Sequence, residues 1–164
     1  MKSKFETEIL DETDVKLLGH LRKNARETLT RMSREIRTPI SSIYDRLKRL
    51  EGLKVIKKYT CLFDLKKTGI HCRVLLLITV HESQKRELEA YLTGNPFVNN
   101  LAKTTGVQNL VAECLFRDMK DLESFTETVR KRFKEIAFSV LYILEDLKRE
   151  SFLAGEATQD MSIK

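Results

Sequence analysis

The hydrophobic rhythm of this chain changes once, near residues 64–72, and that change limits the fold more than any other feature. Before it, apolar residues recur at spacings of three and four, the signature of amphipathic helices. After it come short, densely apolar runs separated by helical stretches and turns. A single repeating architecture cannot satisfy both patterns, and 164 residues suffice for two small domains.

The first part reads as three helices. Asp11 is placed to cap the first, with Glu12 and Asp14 in its opening turn, where the helix dipole favours negative charge. Val15, Leu17, Leu18, Leu21 and Ala25 form its inner side. Thr28 opens a second, short helix carrying Leu29, Met32 and Ile36. Thr38-Pro39 is a restart signal, a capping hydroxyl followed by proline at the first helical position. The third helix then places Ile40, Ile43, Leu47 and Leu50 on one apolar stripe, and Gly52 ends it. Three helices, the last two joined by a tight turn, predict a helix-turn-helix. Residues 55–63, rich in β-formers, are expected to make a strand pair, the wing.

The second part reads as strand 73–80, helix 83–92, strand 97–105, strand 110–116, a helix opened by Asp118 with Leu122, Phe125, Val129 and Phe133 on its inner side, and strand 138–144. This β-α-β-β-α-β order predicts a ferredoxin-like plait. The fold class is therefore α+β: an N-terminal winged helix-turn-helix over residues 1–63, a linker at 64–72, a ferredoxin-like dimerisation and effector domain at 73–150, and a flexible tail at 151–164.

In the plait both helices cover one sheet face. Yet Leu75 and Leu77 oppose Val74, Leu76, Ile78 and Val80 on the first strand, and Leu141 and Ile143 oppose Val140, Tyr142 and Leu144 on the last. Both faces are apolar, so a second copy of the sheet is expected to cover the helix-free side.

Charge supports a polyanion partner. The net charge is +6, and its whole excess falls within residues 1–68, leaving 69–164 close to neutral. On the third helix, Ser41, Ser42, Asp45, Arg46 and Arg49 are expected to face outward, flanked by Tyr44 and Lys48. Ser and Arg suit base edges, and Asp45 suits a cytosine amino group or else orients Arg49 four residues on; Pro39 and Ser41 lie near the helix N-terminus, where free backbone NH groups favour phosphate, and Thr38 is counted with them as DNA-binding. Arg31, Arg34, Lys57, Lys58, Lys66 and Lys67 are expected to contact phosphates without reading sequence.

Other chemistry finds little support. No apolar run approaches the ~20 residues that span a bilayer, and residues 1–10 show no signal peptide, so a cytoplasmic protein is expected. Cys61, Cys72 and Cys114 form no CxxC pair and read as buried, reduced thiols. His20, His71 and His81 are scattered; His71-Cys72 is too little for a metal site, and His20 reads as a helix-surface or packing residue. There is no Gly-rich phosphate loop, GxSxG or HExxH. We expect no enzyme, no cofactor and no metal.

The stretch LDETDVKLLGHLRKNARETLTRMSREIRTPISSIYDRLKRLEGLKVIKKYTCLFDLKKTG, residues 10–69, closely resembles the Lrp/AsnC family of bacterial and archaeal regulators. The opening LDETDVKLL, the KNAR before the second helix, IYDRLKRLE and VIKKYT each resemble that family's pattern, and TTGVQNLVAECLFRD, residues 104–118, resembles its effector motif. The resemblance spans residues 10–148. It implies a sequence-specific transcription regulator that binds double-stranded DNA, pairs sheet to sheet as a homodimer, and assembles further into tetramers or octamers. It also implies a small-molecule effector near Thr105, Gly106, Val107, Gln108 and Asn109. The family turn often carries an acidic residue and an aromatic where this chain has Val107 and Gln108, which removes a carboxylate suited to a ligand ammonium. The alternatives are an architectural, nonspecific DNA protein and an enzyme like the sirohaem decarboxylases, which resemble the same layout; for the latter, His71 and His81 flank the first plait strand.

Overall fold

The computed structural model describes residues 10–154. These divide into two compact units: residues 10–62 with 147–154, and residues 63–146.

In the first unit, α1 (Glu12–Lys23), α2 (Leu29–Ile36) and α3 (Ile40–Gly52) surround a core of Leu17, Met32, Ile43, Leu47 and Leu50. Leu10, Leu18, Leu21, Leu29, Ile36 and Ile56 pack around it. The caps at Asp11 and Thr28 are present: Asp11 and Asp14 form a reciprocal capping box, and Thr28 accepts from the Arg31 amide.

The turn between α2 and α3 departs from the sequence reading. Pro39, not Thr38, is the N-cap of α3, and no side chain caps that end. Thr38 instead closes the turn. Its amide donates to the Ser33 carbonyl at 3.0 Å, and its carbonyl accepts from Ser33 Oγ at 2.6 Å. Arg37 makes the reversal in the left-handed region (φ 58°), an uncommon conformation for a residue with a Cβ.

No strand forms over the expected wing, residues 55–63. The amides of Val55 and Ile56 both donate to the Leu50 carbonyl, so the chain folds back under the end of α3 and buries part of Ile56. Beyond it the chain runs exposed and without a ladder partner; β-propensity alone does not make a strand, and Cys61, expected to be buried, is exposed with it, while Cys72 and Cys114 are buried. The four described residues of the expected tail, 151–154, lie against α1, where Arg22 pairs with Glu150 and reaches the Phe152 carbonyl. Gly19 permits this approach, since a Cβ there would stand 2.8 Å from the Leu153 carbonyl oxygen. Residues 155–164 lie outside the described chain.

In the second unit, β1 (Cys72–Val80), α4 (Glu82–Thr93), β2 (Val98–Lys103), β3 (Leu110–Phe116), α5 (Met119–Arg132) and β4 (Ile136–Tyr142) form the expected plait. The four-stranded sheet has the order β2-β3-β1-β4 and is antiparallel throughout. β2 is shorter than expected, and β4 begins and ends two residues earlier, which leaves Leu144 off the strand and 91% exposed. His81, not Ser83, is the N-cap of α4, its Nδ1 accepting from the Ser83 amide. Val74, Leu76, Ile78, Ala112, Cys114 and Phe116 pack under Leu88, Leu92, Leu122, Phe125, Val129 and Phe133. Neither helix of this unit covers the opposite face. There Leu75 pairs with Leu141 and Glu113, and Leu77 with Val111 and Ser139. A bulge in β2 places Asn99 and Asn100 together opposite Glu113, so both amides donate to one carboxylate oxygen while Arg73 Nε donates to the other. These donors, Asn99 and Arg73 foremost, outweigh the upward pull of burial and hold the Glu113 carboxyl below its ordinary range.

Candidate nucleic-acid interface

α3 is positioned by its underside. Ile43 and Leu50 are wholly buried and Leu47 nearly so, which fixes the rotation of the helix and therefore what it shows outward.

One flank meets α1. The Asp14 carboxylate is 1% exposed and accepts from Arg46 Nη1 at 2.8 Å and from Arg49 Nη2. Arg46 also bonds Asp11. The expectation that Arg46 stands outward is corrected here. At ~100° per residue it lies only about 60° from Ile43, near enough to the buried stripe for its guanidinium to reach back to α1. Arg49 is exposed, as expected, but its guanidinium bonds Asp14 and not Asp45. The hydrogen bonds to Asp11 and then to Asp14 raise the Arg46 pKa further above its ordinary value. For Asp11, burial pulls upward, and the Arg46 bond with the backbone amides of Asp14 and Thr13 outweighs it, leaving the carboxyl below its usual 3.8.

The other flank is open. Ser41, Tyr44, Asp45 and Lys48 are exposed, and Ser42 is half-buried. Lys48 Nζ lies 5.8 Å from the Tyr44 ring centroid and pairs with Glu51. Among the described residues no hydrogen bond or ion pair engages the side chains of Ser41 or Asp45. Ile40, placed by sequence on the buried stripe, is 47% exposed: it stands at the first turn, where no other element packs. With Tyr44 one turn on, it makes an apolar ridge that sequence reasoning missed. Its neighbour Pro39 was the available signal, since a residue at an uncovered helix start escapes the stripe its spacing implies. Beyond α3, Glu51 accepts from the Tyr59 hydroxyl at 2.8 Å; burial, then this bond, push the Tyr59 pKa up to about 12.

The expected phosphate contacts are scattered. Arg34, Lys57 and Lys58 are exposed. Arg31 is exposed but bonds Glu35 and Glu27. Lys66 and Lys67 lie in a short 3-10 turn of the second unit, so α3 and these two lysines belong to different units.

In the expected effector turn, Thr105, Gly106, Val107 and Gln108 are exposed, with Gly106 at φ 106°. Asn109 is not free: its side chain clamps the backbone of Val80, donating to the carbonyl at 2.7 Å and accepting from the amide at 3.2 Å. Beside the strands that lead into this turn lies a cavity of about 390 Å³, lined by Glu89, Thr93, Val98, Asn99, Leu101, Lys103 and Leu110, with Glu89 and Lys103 paired at 2.8 Å.

Residues 10–51 match the AsnC-type helix-turn-helix domain. An HTH-type transcriptional regulator of Pyrococcus furiosus is 32% identical over 145 residues, covering 85% of this chain and 94% of that protein. The chain belongs to the Lrp/AsnC family. It is an HTH-type transcription regulator. Two solved structures of Lrp/AsnC regulators share the fold. One is a Neisseria meningitidis transcriptional regulator in complex with L-methionine (TM-score 0.79, 21% identity, covering 85% of this chain and 93% of that one). The other is the feast or famine regulatory protein of M. tuberculosis with L-methionine (TM-score 0.78, 21% identity, covering 85% and 95%). Among the described residues no helix of this Lrp/AsnC protein is long and apolar enough to cross a membrane.

Proposed function

We propose that this regulator binds duplex DNA sequence-selectively and reads the major groove with the outer flank of α3. The observation that carries the reading is the separation of roles on that helix: Arg46 and the exposed Arg49 bond to α1, while Ser41, Tyr44, Asp45 and Lys48 are exposed and make no bond to α1. Ser41 and Ser42 suit base edges, Asp45 a cytosine amino group and Lys48 guanine, while Ile40 and Tyr44 offer apolar contact to a thymine methyl. The uncapped start of α3 at Thr38-Pro39 leaves backbone NH groups for a phosphate. Arg31, Arg34, Lys57 and Lys58 add sequence-independent affinity. Arg46 and Arg49 act on DNA by holding α3 in place.

The helix-free sheet face, with Leu75, Leu77, Val111, Leu115 and Leu141, pairs with the same face of a second copy, and such dimers assemble into tetramers or octamers. Paired heads then read a palindrome, with half-sites about 34–36 Å apart or a multiple of that. A small metabolite at residues 105–109, extending into the cavity beside Glu89 and Lys103, modulates assembly; the methionine complexes of the structural neighbours make amino acids the first ligands to test.

The deciding experiment selects binding sites from random duplexes and measures affinity at physiological salt. We expect at least ~1,000-fold preference for the selected palindrome over a scrambled one. Equal affinity for both would show an architectural protein instead.

A further inference from the structure

Three side chains of the first unit, carried by α1, α2 and the segment between them, converge. His20 lies in the last turn of α1, Glu27 immediately before the Thr28 cap, and Glu35 in the last turn of α2. His20 Nδ1 is 3.0 Å from Glu27 Oε2 and 3.8 Å from Glu35 Oε2, and the three atoms all lie within 4.8 Å of one another. The two carboxylates divide their oxygens in the same way. Arg31 Nε donates to Glu35 Oε1 at 2.7 Å and forms an ion pair with Glu27 Oε1 at 3.1 Å, so it faces the other oxygen of each. The inward atoms are thus an imidazole nitrogen and two carboxylate oxygens, which share at most the one hydrogen of the His20 nitrogen. The Glu27 side chain is only 5% exposed, so water does little to separate the two negative groups.

We propose that His20, Glu27 and Glu35 form a site for a divalent transition-metal ion of the zinc class. Tetrahedral bonds of ~2.0–2.2 Å set ligand atoms roughly 3.4 Å apart; His20 Nδ1 stands 3.0 and 3.8 Å from the two carboxylate oxygens, and those two oxygens lie within 4.8 Å of each other. One imidazole with two carboxylates is a donor set that zinc accepts and that calcium or magnesium, which favour six or more oxygens, do not match. Three protein ligands leave the fourth position to water. Arg31 need not leave: it contacts the outer oxygens, by a hydrogen bond to Glu35 and an ion pair with Glu27, and orients the carboxylates as partners outside the ligand set do in metal sites. The ion would fasten the end of α1 to both ends of α2, the helix that precedes α3.

The test uses the full-length chain, stripped with a chelator and titrated with zinc chloride by calorimetry, with thermal unfolding followed in parallel. One equivalent per chain, micromolar or tighter, with a rise of several degrees in the first-unit transition, is expected. Glu35→Gln sits on an exposed helix surface and should fold as the parent does by circular dichroism, yet bind at least tenfold more weakly. His20→Ala should lose the equivalent. Substituting cobalt(II) should give the visible absorption of a tetrahedral centre, lost in His20→Ala. His81→Ala should change nothing; His81 and Glu135 lie 4.0 Å apart and are the obvious rival ligands. The proposal is overturned by affinity no tighter than millimolar, by full affinity in folded Glu35→Gln, or by binding that follows His81 instead of His20. Any of these would leave the cluster as an ion-pair network joining α1 to α2.

Discussion

On the flank of α3 that meets α1, Arg46 and Arg49 give their guanidiniums to a buried carboxylate. On the flank turned away, Ser41, Tyr44, Asp45 and Lys48 lie exposed, and among the described residues no hydrogen bond or ion pair engages the side chains of Ser41 or Asp45. Both flanks are polar and basic, and composition does not separate them. The side of the Ile43 stripe on which they stand does. At ~100° per residue Arg46 and Arg49 lie about 60° and 120° to one side of Ile43, the side that meets α1, whereas Tyr44 and Lys48 lie about 100° and 140° to the other. Arginine on a recognition helix is therefore a weaker sign of base contact than its chemistry suggests; its place on the helix wheel decides.

The sharpest way to break this comparison is at Asp14, which serves both guanidiniums and the α1 capping box. Asp14→Ala should cost about 3 kcal/mol, near the low end for breaking a buried ion pair because both arginines retain access to water. Urea unfolding followed by helix signal would measure it. A loss under ~0.5 kcal/mol would mean that the inner flank is as dispensable as an ordinary surface pair.

Next in size is the contrast between Arg46→Ala and Tyr44→Ala. The first should lower head stability by roughly 1–2 kcal/mol and weaken DNA binding with it, since the lost bonds are charge-assisted and partly buried. The second should leave stability within ~0.5 kcal/mol and still reduce affinity for a selected operator about tenfold, through lost apolar contact with bases. Stability and fluorescence anisotropy on the same preparations separate the two. If Arg46→Ala loses operator affinity at unchanged stability, the guanidinium reads DNA after all.

The uneven legibility of the chain has the same cause. The plait could be read because each inner position repeats a local rule: β3 ends at residues 110 and 116 as expected, and Asp118 caps α5. The Asp11 and Thr28 caps were legible for the same reason, as local hydrogen bonds between residues three apart. What was missed depends on contacts distant in sequence or on the lack of them. Arg46 finds a partner 35 residues away. Ile40 stays exposed because nothing packs on the start of α3. The wing residues lack a partner strand, and residues 151–154 meet α1 across more than 120 positions. The His20, Glu27 and Glu35 cluster joins two helices and a loop, and no spacing rule announces it.

The smallest expected effect tests whether the outer rim of the inner flank contributes at all. Arg46 keeps the Asp11 carboxyl below its ordinary value, so the folded chain holds this group ionised to lower pH than the unfolded chain does. A carboxyl depressed in this way adds stability that is complete above its unfolded pKa, near 3.9, and is lost as the pH falls through the folded value. The window therefore lies below about pH 4. Asp11 is half exposed, so screening should limit the effect to about 0.5 kcal/mol. Asp11→Asn is the appropriate comparison, because asparagine keeps the helix cap while removing the charge. Between pH 5 and pH 3 the parent should lose slightly more stability than Asp11→Asn, and added salt should narrow the gap. Superimposable pH profiles would show that Asp14 alone anchors Arg46, and that the inner flank ends at the buried carboxylate.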